Sequence, residues 1–494
     1  MDLKLFEKVW TPFFFTIIFL WLLSISSILY LVITGTQPLI DTSVNLFYAT
    51  LPIFVLSLLY VFLTLFIFAV YLLTFGKVKN KQLIAMRRRV ETNKHLLHKS
   101  TNKILSCTIL NNHEMGSQKE PGSLGMIEED DLCSIIIAAR NEDNVIRRTV
   151  MDCLKQTYKK IEVIVVCHNC TDRTYEEARV CDARVHAFEF KTKAAGKGIA
   201  LNFGLNNAKG KYLLILDADG LLNHEFIQRA IPLFDDGYAA VQGRYVPSNR
   251  DYSLISKLLA LEGDIWSTPY LTARASLDKR CGLGGTGYVI KKDILIGVGG
   301  FANHLVDDYE LTCRLLKENY KIGFAPLCIN YDEKPPNLEI MLKQRARWAK
   351  GFLDLLKHRV TGFTDILGFL FWLTPIAGFC GFVMLTITAF AAIYNLIFEY
   401  YPYYYASVPV DLWIILTGLL YASQATSLIK QYGRRGLRYA AYIPIYNVFV
   451  LYFFVTLIKA FTIKSWANTK TTHGFMKPSE SITMRPLISD LEIR

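Results

Sequence analysis

Two groups of closely spaced acids are the residues best suited to chemistry in this chain. Asp217 and Asp219 flank one alanine directly after the apolar run Tyr212-Leu-Leu-Ile-Leu216. Carboxylates two residues apart beyond a strand repel unless a cation joins them. Their hard oxygens suit Mg²⁺ or Mn²⁺, ions that keep some of their water and share the diphosphate of a nucleotide. A D-x-D also arises in solvated turns, so its neighbours decide its weight. Upstream lies Gly196-Lys197-Gly198-Ile-Ala-Leu-Asn202, where glycines allow close backbone approach and Lys197 can meet phosphate. Downstream, Val306-Asp307-Asp308-Tyr309-Glu310-Leu311 puts three acids just before an apolar helix. They either favour that helix's N-terminus or supply a general base whose proton affinity its neighbours set. The segment Gln344-Arg-Ala-Arg347-Trp348 lies on a helix with an apolar face of Leu338, Met341, Leu342, Ala346 and Phe352. Lys343, Arg345 and Lys350 give it a basic face, so it reads as an amphipathic interfacial helix able to carry Gln344, Arg347 and Trp348 beneath a site.

An α/β insert from about Leu132 to Trp348 must position these groups. Apolar β-rich runs alternate there with helical spacing. Strands are expected at Ser134–Ala139, Ile161–Val166 and Tyr212–Leu216, and helices over Asn141–Gln156, from Asp172 through Arg179, and over Gly196–Ala208. Ligands of open α/β sheets bind beyond the carboxyl ends of the strands, which is where Asp217 and Asp219 fall.

The rest of the chain is of another kind. Its 494 residues are 52% hydrophobic with a net charge of +12, and mean hydropathy is +0.25. The apolar residues crowd into both ends, which excludes an ordinary soluble globule, a disordered chain and a fibrous repeat. Thr11–Gly35 and Val44–Phe75 are each long enough to span a bilayer. The first is read as a retained anchor rather than a cleaved signal. The loop 36–43 has no Lys or Arg, whereas Lys77, Lys79, Lys81 and Arg87 to Arg89 follow the second span. The positive-inside rule then puts the N-terminus and the insert in the cytoplasm. Much of the positive charge lies in 77–103, where attraction to anionic lipid accounts for it more simply than nucleic acid does. Asn111–Asp131 reads as linker. Further apolar stretches run over Ile366–Phe398, Leu412–Leu428 and Tyr439–Ile463. The first contains Pro375, Gly378 and Gly381 and can be a broken pair; the last can lie along the interface around Pro444. The expected domains are two spans in 1–75, a basic juxtamembrane segment and linker in 76–131, a catalytic domain in 132–335, the interfacial helix in 336–362, spans or interfacial helices in 363–465, and a tail in 466–494. Ten cysteines include the C-x-x-C of Cys167 and Cys170, but no second Cys/His pair has zinc-finger spacing, so free thiols are expected.

The order of motifs resembles the inverting, membrane-embedded family-two glycosyltransferases, the group of cellulose, chitin, hyaluronan and poly-N-acetylglucosamine synthases. The pieces are Ala138-Ala-Arg140-Asn-Glu142, Gly196-Lys-Gly-Ile-Ala-Leu-Asn202, Asp217-Ala-Asp219-Gly220, Gly284-Gly285-Thr-Gly287, Asp307-Asp308 and Gln344-Arg-Ala-Arg347-Trp348. They run in the family's order with apolar segments on both sides. The resemblance implies a GT-A (Rossmann-like) α/β domain inserted between transmembrane helices, a nucleotide-diphosphate sugar (UDP-linked by resemblance) as donor, a polysaccharide or lipid-linked acceptor, Mn²⁺ or Mg²⁺, and residence in the plasma membrane without a nucleic-acid partner. By the same resemblance Asp219 would ligate the metal, Asp217 contact nucleotide or ribose, and Lys197 sit near uridine or phosphate. Asp308, beside Asp307, would deprotonate the acceptor. Gln344, Arg347 and Trp348 would bind diphosphate and acceptor sugar, and Cys281 to Gly287, with Gly285, would border the acceptor. Trp466-Ala-Asn-Thr469 with His473-Gly474 resembles the gating loop that closes over the nucleotide. That closure requires an even number of crossings after the insert, against the three apolar stretches counted.

The chain departs from the family in two places. Cys167 and His168 stand where many members carry an Asp pair, and Val306-Asp307-Asp308 replaces a Thr-Glu-Asp. Three functions remain open on the sequence: a polymerising synthase, a non-processive transferase acting on a lipid acceptor, and a channel or transporter whose insert only senses nucleotide sugar.

Overall fold

The computed structural model describes residues 61–92 (without 63), 132–357 (without 278 and 279), 410–449 and 452–461. The chain divides into two compact units, Val70–Asp365 with Tyr452–Arg494, and Met1–Ala69 with Ile366–Leu451. Thr11–Gly35, most of Val44–Phe75, the linker 111–131, Ile366–Phe398, Trp466, Thr469 and His473-Gly474 lie outside the described residues.

The first unit is built on an eight-stranded sheet. Its strands are β1 Cys133–Ala139, β2 Ile161–His168, β3 Val185–Phe190, β4 Tyr212–Asp217, β5 Leu221–Leu222, β6 Ala240–Pro247, β7 Tyr288–Lys291 and β8 Ile322–Asp332, in the spatial order β3-β2-β1-β4-β7-β6-β8-β5. β3, β2, β1 and β4 pair in parallel. β7 runs antiparallel to both β4 and β6, β6 pairs in parallel with β8, and β5 runs antiparallel to β8. Ile135, Ile136 and Ile137 of β1, Val163 to Val166 of β2 and Leu213 to Leu216 of β4 are all buried. Such unbroken apolar runs are what a parallel strand covered on both faces requires. From β1 the chain winds outward to β2 and β3, then returns to place β4 on the other side of β1. That reversal opens a crevice at the carboxyl ends of β1 and β4.

Helices cover the sheet. Lys197–Asn207 packs so closely that a Cβ on Gly204 would lie 2.5 Å from Ile136 Cγ2. The expected helix over Asn141–Gln156 is shorter, Ile146–Cys153. Asn141 has a φ of 56° and the Glu142 N–H donates to Thr174 Oγ1 at 2.7 Å, so this stretch is spent anchoring the turn after β1. Buried Glu162 accepts from Ser134 Oγ and the Lys209 N–H, both at 2.6 Å, which fixes the entry into β4.

Within the sheet-bearing unit, helical residues run on past Phe75 through residue 92. This helix lies on the sheet domain. Gln82, 1% exposed, donates to Arg229 O at 3.2 Å and accepts from the Leu327 N–H at 3.1 Å. Part of the basic run read as lipid-facing is paired instead within the protein: Lys81 and Arg88 meet Asp236 at 3.6 and 3.2 Å, and Arg89 meets Asp235 at 3.2 Å.

In the second unit Val410–Tyr432 forms one helix, followed by Arg435–Ala440 and Ile443–Phe449. In the sheet-bearing unit, Tyr452–Ala460 is also helical. Among the described residues, no helix is long and apolar enough to cross a membrane.

Candidate active site

The crevice beyond β1 and β4 gathers most of the residues singled out in the sequence. Asp217 ends β4, and its N–H donates to Thr286 Oγ1 at 2.9 Å. Asp219 follows in the next turn, half-buried. Lys197, at the first position of its helix, places its ammonium 2.6 Å from Asp217 Oδ1 and 2.7 Å from the Gly285 carbonyl. The glycine after it is required by space, because a Cβ on Gly198 would lie 2.2 Å from Ala302 O. Burial works against the Lys197 charge, but Asp217, Asp307 and Asp308 outweigh it and hold its pKa above the ordinary lysine value.

Asp307 and Asp308 open the helix Asp307–Lys317, where carboxylates favour the N-terminus. Both expectations for this acidic group are therefore compatible. Asp308 accepts from the Gly285 N–H on Oδ2 and from the Tyr309 N–H on Oδ1, the latter at 2.7 Å. Asp307 is buried; desolvation, opposed by Lys197 and reinforced by Asp308 and Asp217, pushes its pKa up to about 6.

Arg347 lies on the helix Leu338–Lys357, which falls within the expected amphipathic segment 336–362. Its Nη1 donates to Leu305 O at 3.0 Å, and a Cβ on Gly351 would meet Val306 Cγ1 at 2.9 Å. The helix is thus seated on the residues that lead into Asp307. Burial lowers the Arg347 pKa, against the pull of Asp307, Asp308 and Asp217. Gln344 and Trp348 are half-buried on the same helix. The Arg345 guanidinium lies 4.3 Å from the Trp348 ring centroid and 3.0 Å from Glu262 Oε1, and Tyr452 donates to Glu262 Oε2 at 3.0 Å.

Sequence reasoning missed Arg345, assigned only to a basic face, and also Gln242 and Tyr245. These last two sit on buried β6 and bond to the backbone of the Gly284–Thr286 loop. The one available signal was the polar pair itself inside a strand flanked by apolar runs.

His168 and Asn169 hold the loop before Lys197. His168 Nε2 lies 2.8 Å from Thr192 Oγ1, and Asn169 donates to Thr192 O at 2.9 Å. Cys167 is buried in β2, and Cys170 Sγ contacts the Asn141 N–H at 3.4 Å. Both are free thiols, as expected.

Among the described residues no cluster of three or more His, Cys, Asp or Glu could enclose a metal. Asp217 and Asp219 nevertheless offer the right donors for an open site. Mg²⁺ is held by one or two carboxylates together with substrate phosphates rather than by an all-protein cage.

A parallel half-sheet with acids at its reversal point, extended by β7, β6 and β8 and closed by an acid-opened helix, is a GT-A α/β domain. Residues 131–351 match the family described as "Glycosyltransferase like family 2", and this segment is a family-two glycosyltransferase domain. Over 228 residues the chain is 28% identical to the probable glycosyltransferase YdaM of Bacillus subtilis (strain 168), covering 44% of this chain and 54% of that protein. Over 239 residues it is 26% identical to the poly-beta-1,6-N-acetyl-D-glucosamine synthase of Staphylococcus aureus (strain MSSA476), covering 47% and 57%. The chain therefore spans little more than half the length of these curated relatives. A mannosyltransferase from Pyrobaculum calidifontis, solved with GDP-Man and Mn²⁺, is 19% identical and covers 76% of this chain and 99% of its own, with a TM-score of 0.43.

Proposed function

We propose that the chain is a membrane-embedded inverting glycosyltransferase. In this reading a cytoplasmic domain transfers sugar from a UDP-linked donor to a growing β-linked polysaccharide that the same protein secretes across the plasma membrane. The observation that carries the transfer chemistry is the Lys197 ammonium shared by Asp217 and the Gly285 loop, whose N–H holds Asp308. The membrane assignment is supported by the apolar runs at both ends of the sequence. The polymerising assignment is supported by the Q-x-x-R-W segment and by the similarity to a poly-N-acetylglucosamine synthase.

The chemistry follows from the charges. The acceptor hydroxyl attacks the anomeric carbon from the face opposite the diphosphate. As the new C–O bond forms, the bond to the diphosphate oxygen breaks and its electron pair leaves with the nucleotide. Asp308 takes the hydroxyl proton as general base. Asp217, Asp307 and Asp308 face Lys197 and Arg347, three acids against two cations, so a diphosphate needs further positive charge to enter. Asp219 would hold Mg²⁺ or Mn²⁺, with Asp217 toward the nucleotide, and the ion would supply that charge and stabilise the departing diphosphate. Arg347 offers two donors to phosphate oxygens. Trp348 offers a ring face to the acceptor sugar. Gly285, Gln344 and Asp307 border the acceptor.

The test is nucleotide-diphosphate release by the purified protein in detergent, with Mg²⁺ or Mn²⁺, from a panel of UDP- and GDP-sugars. Release from one donor, abolished in Asp308→Asn, is expected. Release that survives in Asp308→Asn would sink the base assignment, and no release with lipid and primer supplied would sink the enzyme reading. Sizing the product distinguishes a polymer from single transfer to a lipid-linked acceptor.

A further inference from the structure

The loop Gly284–Thr286 touches three of the groups assigned above. The Gly285 carbonyl accepts from Lys197 Nζ at 2.7 Å, the Gly285 N–H donates to Asp308 Oδ2, and Thr286 Oγ1 accepts from the Asp217 N–H at 2.9 Å. A loop built on two glycines has little stiffness of its own. Its restraint comes from two side chains of β6. Gln242, with no exposed surface, accepts from the Gly284 N–H on Oε1 at 2.9 Å. Its Nε2 lies 3.2 Å from Thr286 O, 3.1 Å from Gly287 O and 3.1 Å from the Tyr245 hydroxyl. The Tyr245 hydroxyl in turn has Gly284 O and Thr286 O, the second at 2.9 Å, as acceptors for its one proton. The backbone of β6 pairs with β8 along its length and with β7 over Ala240–Gln242. Apart from a bond of Gln242 Nε2 to Gly243 O at 3.0 Å, the hydrogen bonds of these two side chains go to each other and to residues 284–287.

We propose that Gln242 and Tyr245 are positioning residues that clamp the Gly284–Thr286 loop, so that Gly285 fixes the plane of the Asp308 carboxylate and the place of Lys197 together. A general base acts only when its oxygen is aimed at the proton it removes, and a misplacement of about 1 Å costs on the order of a hundredfold in rate. Asp308 is held at one oxygen by its own neighbour Tyr309 and at the other by Gly285, so release of the loop frees the carboxylate to swing about the remaining bond. The inference rests on the reading of Asp308 as base.

Tyr245→Phe is the gentlest test, because it removes one hydroxyl and keeps the ring. In the nucleotide-release assay kcat should fall roughly tenfold or more while the donor KM stays within about twofold and the melting temperature is unchanged. Gln242→Leu should act in the same direction. Hydrogen exchange on the same samples should show the amides of Gly284, Gly285 and Thr286 exchanging roughly tenfold faster in Tyr245→Phe. Wild-type kcat in Tyr245→Phe, or unaltered exchange of the loop amides, overturns the clamp. A wild-type protein that turns over no donor overturns the functional reading instead, and the exchange measurement then still decides whether the clamp exists.

Discussion

The Lys197 ammonium lies 2.6 Å from Asp217 Oδ1 and directly joins the end of β4 to the Gly285 carbonyl, 2.7 Å away. One cation thus ties the strand bearing the D-x-D to the loop that holds Asp308. It is also a countercharge to buried Asp307. Lys197→Met should leave these acids mutually repelling. Because Asp217 is 40% exposed, solvent screens the loss below the roughly 3–5 kcal/mol of a fully buried pair. We expect a lower melting temperature and nucleotide release reduced at least a hundredfold. Lys197→Arg should not restore activity, because a planar fork does not replace a point charge between two acceptors. Activity in Lys197→Met within a few fold of wild type would contradict this role.

Asp307 gives a stability prediction with a definite sign. Its folded pKa, about 6, lies above the unfolded value of 3.8, so between these limits the folded state keeps a proton that the unfolded chain has released. Stability from this group is fully present below about pH 4 and is lost as pH rises through about 6, by an amount of order 1–3 kcal/mol. Asp307→Asn imitates the protonated form. Thermal melts should therefore show the variant gaining on wild type between pH 4 and pH 7 while nucleotide release is lost. Parallel melting curves across that range would show that Asp307 carries no such cost.

Much of this site was legible because the signals were local. β1, β2 and β4 follow from unbroken apolar runs, and Asp217 with Asp219 falls at a strand end by position alone. The acids at 307 and 308 open a helix as their sequence suggests. What was not legible depended on distant partners. Gln242 and Tyr245 matter because of a loop about forty residues away. Arg345 matters through Trp348 on its own helix and Glu262 on another, where the helix Leu254–Glu262 passes into a π-helical turn. The basic run after Phe75 gave no hint that Asp235 and Asp236 would meet it, since charge patterning alone does not name a partner.

That docked helix gives a third prediction. Its ion pairs with Asp235 and Asp236 each have one largely exposed partner, Asp235 in one and Arg88 in the other, and should contribute little, about 0–1 kcal/mol each, fading with salt. Gln82 is different, because its buried amide serves the backbone at Arg229 and Leu327. Gln82→Ala should cost about 1–3 kcal/mol at any ionic strength. Asp235→Asn with Asp236→Asn should matter only at low salt. Melting in low and high salt checks both; a large salt dependence in Gln82→Ala would show that the charges, not the amide, hold the helix.

The last prediction concerns the side of the site assigned to the acceptor. Arg345 stacks over Trp348 and is held from behind by Glu262, which Tyr452 also grips. This arrangement fixes the indole plane on which a sugar would rest. A cation over an aromatic face contributes about 0.5–2 kcal/mol, depending on how far it is desolvated. Arg345→Lys keeps the charge but loses the flat face of the guanidinium, so the KM for acceptor should rise by roughly 3- to 10-fold while the donor KM is unchanged. Trp348→Ala should raise it further and lower kcat as well. Glu262→Gln should resemble Arg345→Lys, because it releases the same guanidinium. Kinetics with acceptor varied at saturating donor separates the cases: equal rises in both KM values would place Arg345 in general stability rather than in the orientation of Trp348.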